Sequence, residues 1–188
     1  FSKLNTISNT DNQKVKLLNI DLNNLHETSK LIEDIRPDYI YNLSGPSSVY
    51  DSFINPHETK SQINSIFENL TSPLIKMSLF SNFYQASSSE MFGNCFDEDK
   101  CQRETTKMSP VSPYACSKLG AHTICANYRN AYNLFICCGI LFNHESPRRG
   151  TNFVTNKVVK GAVEIKLGLA KELRLGNFCN LKCTMCGP

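Results

Sequence analysis

The sequence predicts an α/β fold, a doubly wound parallel sheet, and three observations carry that expectation. Short apolar runs of strand length alternate with longer stretches whose apolar residues recur at helical spacing. The run over residues 134–142 is nearly all apolar, as expected of a strand covered on both faces. Polar and glycine-containing segments follow the runs, where open parallel sheets collect their ligands.

Each element has its own signal. Residues 15–20 read as a short apolar strand ending at Asp21. Residues 24–35 carry Leu25, Leu31, Ile32 and Ile35 on helical spacing, and Arg36-Pro37 stops them. Residues 39–43 are the next strand, followed by the turn-rich Ser44-Gly45-Pro46-Ser47-Ser48. A long helix follows Pro56 with Ile63, Ile66, Phe67 and Leu70 on one stripe, and an interruption is expected near Pro73. Residues 83–87 read as a strand and 93–110 as a long polar loop. Residues 112–132 form another helix, with Ala115, Leu119 and Ala126 aligned, before the strand at 134–142. An amphipathic helix over 152–169 and a short strand over 172–175 complete the series.

Composition narrows the function. The 188 residues are 40% hydrophobic and 20% charged, which suits a packed core rather than disorder. The net charge of +3 comes from interleaved signs, so no basic stripe calls for nucleic acid. No apolar run approaches the roughly eighteen residues of a membrane span. The cysteines at 95, 101, 116, 125, 137 and 138 are scattered, several in apolar segments, as free thiols are in a reducing cytoplasm.

The strongest local chemistry is Tyr114-Ala115-Cys116-Ser117-Lys118. Tyr114 and Lys118, four residues apart, share a helix face. A phenol titrates near pH 10, and a nearby ammonium is expected to bring it toward the working range. Just upstream lies Gln85-Ala86-Ser87-Ser88-Ser89-Glu90, at a strand end. A hydroxyl there can bond a reacting oxygen, and the carboxylate of Glu90 can move a proton. The bland alternative is a serine-rich cap with Glu90 serving the helix dipole. His26, His57 and His122 read as surface or packing histidines, and Arg148-Arg149 as a basic turn or a pair of anion forks.

These segments, with Tyr41-Asn42-Leu43 and above all Gly139-Ile140-Leu141-Phe142-Asn143-His144-Glu145-Ser146-Pro147-Arg148-Arg149-Gly150, resemble the GDP-mannose 4,6-dehydratase family. That family is a sugar-nucleotide branch of the extended short-chain dehydrogenases, with a Rossmann-like sheet. The resemblance runs from about Leu17 to Asn177 and implies NADP as cofactor, GDP-mannose as substrate and a cytoplasmic homo-oligomer. By position it implies a hydroxyl role for Ser88, where the family usually has Thr. It implies Glu90 as the base at C5, Tyr114 as the base on the C4 hydroxyl, and Lys118 as its tuning lysine, also on the nicotinamide ribose. Asp21 and Leu22 fall at the adenine-side pair, and Leu43, Ser44, Gly45, Pro46 and Ser47 at the loop under the cofactor. His144 and Arg149 fall at NADP contacts; Ser88, Asn143 and Glu145 fall at substrate contacts.

The sequence also departs from that pattern. No glycine-rich turn precedes Asp21, so the first βα unit and most of the C-terminal substrate domain are expected to be lacking, and the 188 residues alone inactive. Glu58 replaces a family Tyr, and two extra residues lengthen the loop between Glu90 and Tyr114. Residues 1–177 read as a partial dinucleotide-binding domain and 178–188 as a cysteine-rich tail, foreign or a junction. Its Cys179, Cys183 and Cys186 resemble the iron–sulfur loop of radical S-adenosylmethionine enzymes, the alternative being a chance cluster. A zinc site would need a fourth ligand. Beside the dehydratase stand two other readings, a nucleotide-sugar epimerase or oxidoreductase and a non-catalytic remnant. Glu90 separates the first of these, because only elimination needs the second base.

Overall fold

The structure, a computed structural model, describes residues 15–151 and 153–175. Their order is α1 (Leu25–Ile35), β1 (Tyr39–Asn42), α2 (Val49–Ile54), α3 (Pro56–Lys76), β2 (Asn82–Ser88), a 3-10 turn (Ser89–Phe92), α4 (Pro113–Tyr132), β3 (Ile136–Leu141) and α5 (Val154–Lys166). The helix starts follow local chemistry. Asn24 accepts the backbone N–H groups of His26 and Glu27 at the start of α1. Ser112 accepts that of Ala115, with Pro113 at the first position of α4.

The three strands form one parallel sheet in the order β1-β2-β3, with Asn42 beside Gln85 and Gln85 beside Cys138. One face is packed: Phe83 and Ile136 meet Ile32 of α1, Ile66, Phe67, Leu70 and Leu74 of α3, and Cys125 of α4. Phe67 is fully buried and meets Phe83 edge-on at 5.8 Å. The opposite face exposes Tyr39, Tyr41, Phe135 and Cys137. The expected two-sided burial of residues 134–142 is therefore corrected to an alternation, because among the described residues helices pack on one side only. Among them, too, no helix is long and apolar enough to cross a membrane.

Four further expectations change. Residues 15–20 and 172–175 form no strand, since a strand is defined by its ladder and neither has a ladder partner among the described residues. α3 continues through Pro73 to Lys76: fully buried Leu74 anchors the last turn, and only that turn lies beyond the proline. The short α2 fills what reads as loop, started by Ser48 accepting from Asp51 N–H. α5 begins at Val154, and the expected start at Asn152 lies outside the described residues. The 178–188 segment and its Cys179, Cys183 and Cys186 also lie outside them.

Gly93 closes the turn that follows β2. Its φ is +56°, and a Cβ there would sit 2.1 Å from the carbonyl oxygen of Ser109. That oxygen belongs to backbone and cannot swing aside. Gly93→Ala is expected to cost about 2–4 kcal/mol through the strained dihedral and the overlap, read as a lower urea midpoint.

Candidate active site

Because all three strands run parallel, their carboxyl ends open on one edge, and a cleft of about 470 Å³ lies there. Leu43, Ser44, Gly45, Pro46 and Ser47 wall it after β1; Ala86, Ser87 and Ser88 come from the end of β2. α4 contributes Tyr114 and Lys118, and the segment after β3 contributes Asn143, His144, Arg148 and Arg149. Gly45, at φ +107°, takes the loop after β1 through a turn that a side chain would strain.

Tyr114, Lys118 and Ser88 are each under a tenth exposed, an unusual state for a lysine. The Lys118 ammonium donates to the carbonyl of Ala86 at 3.1 Å and lies 5.8 Å from the Tyr114 ring centroid. Burial lowers its pKa. Burial also raises the Tyr114 phenol, against a hydrogen bond with Ser88 that pulls it down, and the Glu90 charge adds to the rise. The expected lowering of Tyr114 by Lys118 is therefore corrected to a rise: desolvation is the largest effect, and the downward pull comes from Ser88. Ser88 caps the 3-10 turn by accepting from Glu90 N–H at 3.2 Å, which fixes Glu90 two residues beyond it. Burial raises the Glu90 carboxyl. Two acids with raised pKa values, Tyr114 and Glu90, thus lie near one another at the end of β2, with the buried Lys118 ammonium beside the Tyr114 ring.

A polar chain under the cleft escaped the sequence reading. Asn42 Nδ2 donates to Gln85 Oε1 at 2.8 Å, while Asn42 Oδ1 accepts from Ser44 N–H. Gln85 Nε2 donates to the Ala86 carbonyl, the same oxygen that holds Lys118. The strand ends and the lysine are therefore tied together. The available signal was two amides inside apolar strands, which a buried site tolerates only when paired. Asn42→Leu is expected to cost about 1–3 kcal/mol by orphaning Gln85 Oε1. Denaturant titration of the Asn42→Leu/Gln85→Leu pair should recover part of that loss.

Arg149 forms the other rim. Its guanidinium stacks on Phe153 at 3.7 Å from the ring centroid and lies 3.6 Å from Glu145. Its Nε is buried, makes no hydrogen bond and is the atom paired with Glu145. His144 Nδ1 lies 3.2 Å from the Phe142 carbonyl. The structure thus brings Leu43 to Ser47, Ser88, Tyr114, Lys118, Asn143, His144 and Arg149 to one cleft. Glu90 stands beside Tyr114 without lining the cleft, and Glu145 is present only through Arg149. Asp21 and Leu22 do not line it: Asp21 accepts from Asn23, and the Leu22 carbonyl accepts from Asn69. Among the described residues no cluster of His, Cys, Asp or Glu could hold a metal ion.

The chain is similar to known proteins. The family model described as GDP-mannose 4,6 dehydratase matches residues 1–183. GDP-mannose 4,6 dehydratase 2 of Arabidopsis thaliana is 44% identical over 174 residues, 90% of this chain and 46% of the relative. GDP-mannose 4,6-dehydratase of Vibrio cholerae is 39% identical over 164 residues, 86% of this chain and 44% of the relative. The chain therefore spans less than half the length of these curated relatives. The structure of RMD from Pseudomonas aeruginosa complexed with NADPH superposes with a TM-score of 0.76 at 23% identity, over 90% of this chain and 58% of that one. That likeness shows the Rossmann-like fold of the nucleotide-sugar epimerases and dehydratases.

Proposed function

The chain belongs to the GDP-mannose 4,6-dehydratase family, and on that premise we propose that it carries the reaction core of an enzyme that removes water from GDP-mannose. The product is the 4-keto-6-deoxy sugar, with NADP as the internal redox carrier. One observation carries the reading: Ser88, Glu90, Tyr114 and Lys118 converge at the carboxyl end of β2, three of them in the cleft wall.

The residues present fit an anionic dinucleotide, since the buried Lys118 ammonium and the Arg149 guanidinium both line one cleft. Lys118, His144 and Arg149, with the loop from Leu43 to Ser47, would hold it. Bound there, the nicotinamide supplies the means of oxidising C4 and later reducing C6.

The chain's own groups handle the protons. Tyr114 takes the proton of the C4 hydroxyl, with Ser88 bonded to its phenol oxygen. A ketone at C4 acidifies the C5 hydrogen, which Glu90 removes, and the same carboxyl assists departure of the C6 hydroxyl as water. The raised pKa values keep both acids protonated further up the pH scale than usual, so each must ionise before it can take a substrate proton and is then the stronger base. Turnover should rise with pH while Glu90 ionises.

The test is mass spectrometry of the product after a protein containing these residues meets GDP-mannose and substoichiometric NADP. The expected product is lighter by one water, with no net NADPH. A product of unchanged mass inverted at C4 would make the protein an epimerase. NADPH formed mole for mole with substrate would make it a simple dehydrogenase.

A further inference from the structure

β2 outruns its neighbour on one side. Its pairing with β1 ends at Asn42 and Gln85, while its pairing with β3 continues through Ala86, Ser87 and Ser88. Among the described residues, the last three residues of β2 therefore have a strand ladder on one edge only. These residues carry Ser88 into the cleft and lead through the 3-10 turn to Glu90. Helix α4 meets them in two successive turns. Lys118 Nζ donates to the Ala86 carbonyl at 3.1 Å, and His122 Nδ1 shares a hydrogen bond with Ser87 Oγ at 3.0 Å. Tyr114, Lys118 and His122 stand at four-residue intervals, so one stripe of α4 faces the end of β2.

We propose that His122 is a positioning residue: through Ser87 it pins the overhanging end of β2 to α4, and so sets the spacing of Ser88 and Glu90 from Tyr114. The role rests on the dehydratase reading and adds to it a residue outside the cleft wall.

Ser87 is 4% exposed, so its hydroxyl has little water to turn to once His122 is gone. The Ala86 carbonyl, by contrast, is held twice, by Lys118 and by Gln85 Nε2. Losing His122 therefore frees the strand one residue further on, at the point from which Ser88 and the turn depart. Proton transfer is steep in distance, and a misplacement of about 1 Å can cost roughly a hundredfold in rate. Ground-state binding along the other wall, from Asn143 to Arg149, should be spared. A histidine that merely packs would instead be replaced by any side chain of similar bulk.

The experiment uses a protein containing these residues and compares His122→Leu, which keeps bulk without a polar atom, with His122→Asn, whose amide can bond Ser87. His122→Leu should lower kcat about tenfold and move KM for GDP-mannose by less than about twofold. The amides of residues 87–90 should exchange with deuterium about tenfold faster, as loss of one buried hydrogen bond allows. His122→Asn should restore both. Ser87→Ala breaks the same bond from the strand side and should give the same exchange pattern, which keeps the outcome readable even if His122→Leu fails to fold. Unchanged exchange in both bond-breaking variants overturns the anchoring, with or without turnover. Faster exchange with kcat unchanged overturns the link to the reaction. Equal losses in His122→Leu and His122→Asn would make His122 a packing residue. An unsubstituted protein that makes no product overturns the dehydratase reading and the link to the reaction with it, while exchange still decides the anchoring.

Discussion

If the proposed chemistry holds, Tyr114→Phe is expected to lower conversion of GDP-mannose by about a thousandfold, within the range of about 10²–10⁴ for loss of a positioned acid or base. The substitution removes one oxygen. The ring keeps its place in the wall of α4, where Tyr114 packs with Ile63 and Ala121, so folding is spared. What is lost is the group proposed to take the C4 hydroxyl proton, together with the hydrogen bond with Ser88. The pH dependence of stability separates this from a packing defect. The folded state raises the phenol above its ordinary 10, so it binds that proton more tightly than the unfolded chain does. Stability must fall as pH rises from about 10 through the raised folded value, and Tyr114→Phe abolishes that part of the fall. Denaturant midpoints across the alkaline range, beside product assays at neutrality, check both halves. Near-normal turnover in the variant would remove Tyr114 from the chemistry.

How far the sequence could foretell the site depended on whether the determining contact was local. Tyr114 and Lys118 were legible because four residues on a helix fix a shared face, and Ser88 and Glu90 because a short turn holds them two apart. Asn42 and Gln85 were not, since their bond joins strands forty-three residues apart and depends on register. The same limit explains residues 15–20 and 172–175, whose apolar runs announce strands while pairing is decided elsewhere in the chain. His122 reads as a packing histidine in the sequence, yet the fold brings Ser87, at the end of β2, within 3.0 Å of its Nδ1. For Tyr114, spacing identified the ammonium but could not weigh it against burial, a property of the whole fold.

Glu90→Gln should stop the reaction one step later than Tyr114→Phe, again with a loss of about 10²–10⁴-fold. The amide keeps the size of the side chain and cannot accept the C5 proton. The two variants part company when the 4-ketone of GDP-mannose is supplied directly, because that substrate has no C4 hydroxyl proton to lose. Tyr114→Phe should then eliminate water at a rate near that of the unsubstituted protein, whereas Glu90→Gln should not. With deuterium at C5, the unsubstituted protein should release it to solvent and Glu90→Gln should retain it, as nuclear magnetic resonance can follow. Burial gives an independent check. It raises the folded pKa of Glu90 above 4.5, so the folded state binds the proton more tightly. Stability from this group therefore increases as pH falls through the raised value toward 4.5, the reverse of a salt-bridged carboxylate. Glu90→Gln, neutral throughout, should lose that dependence and be more stable than the parent at neutral pH. A variant less stable there, still releasing C5 deuterium, would assign the base to another residue and leave Glu90 as the companion that Ser88 holds in the 3-10 turn.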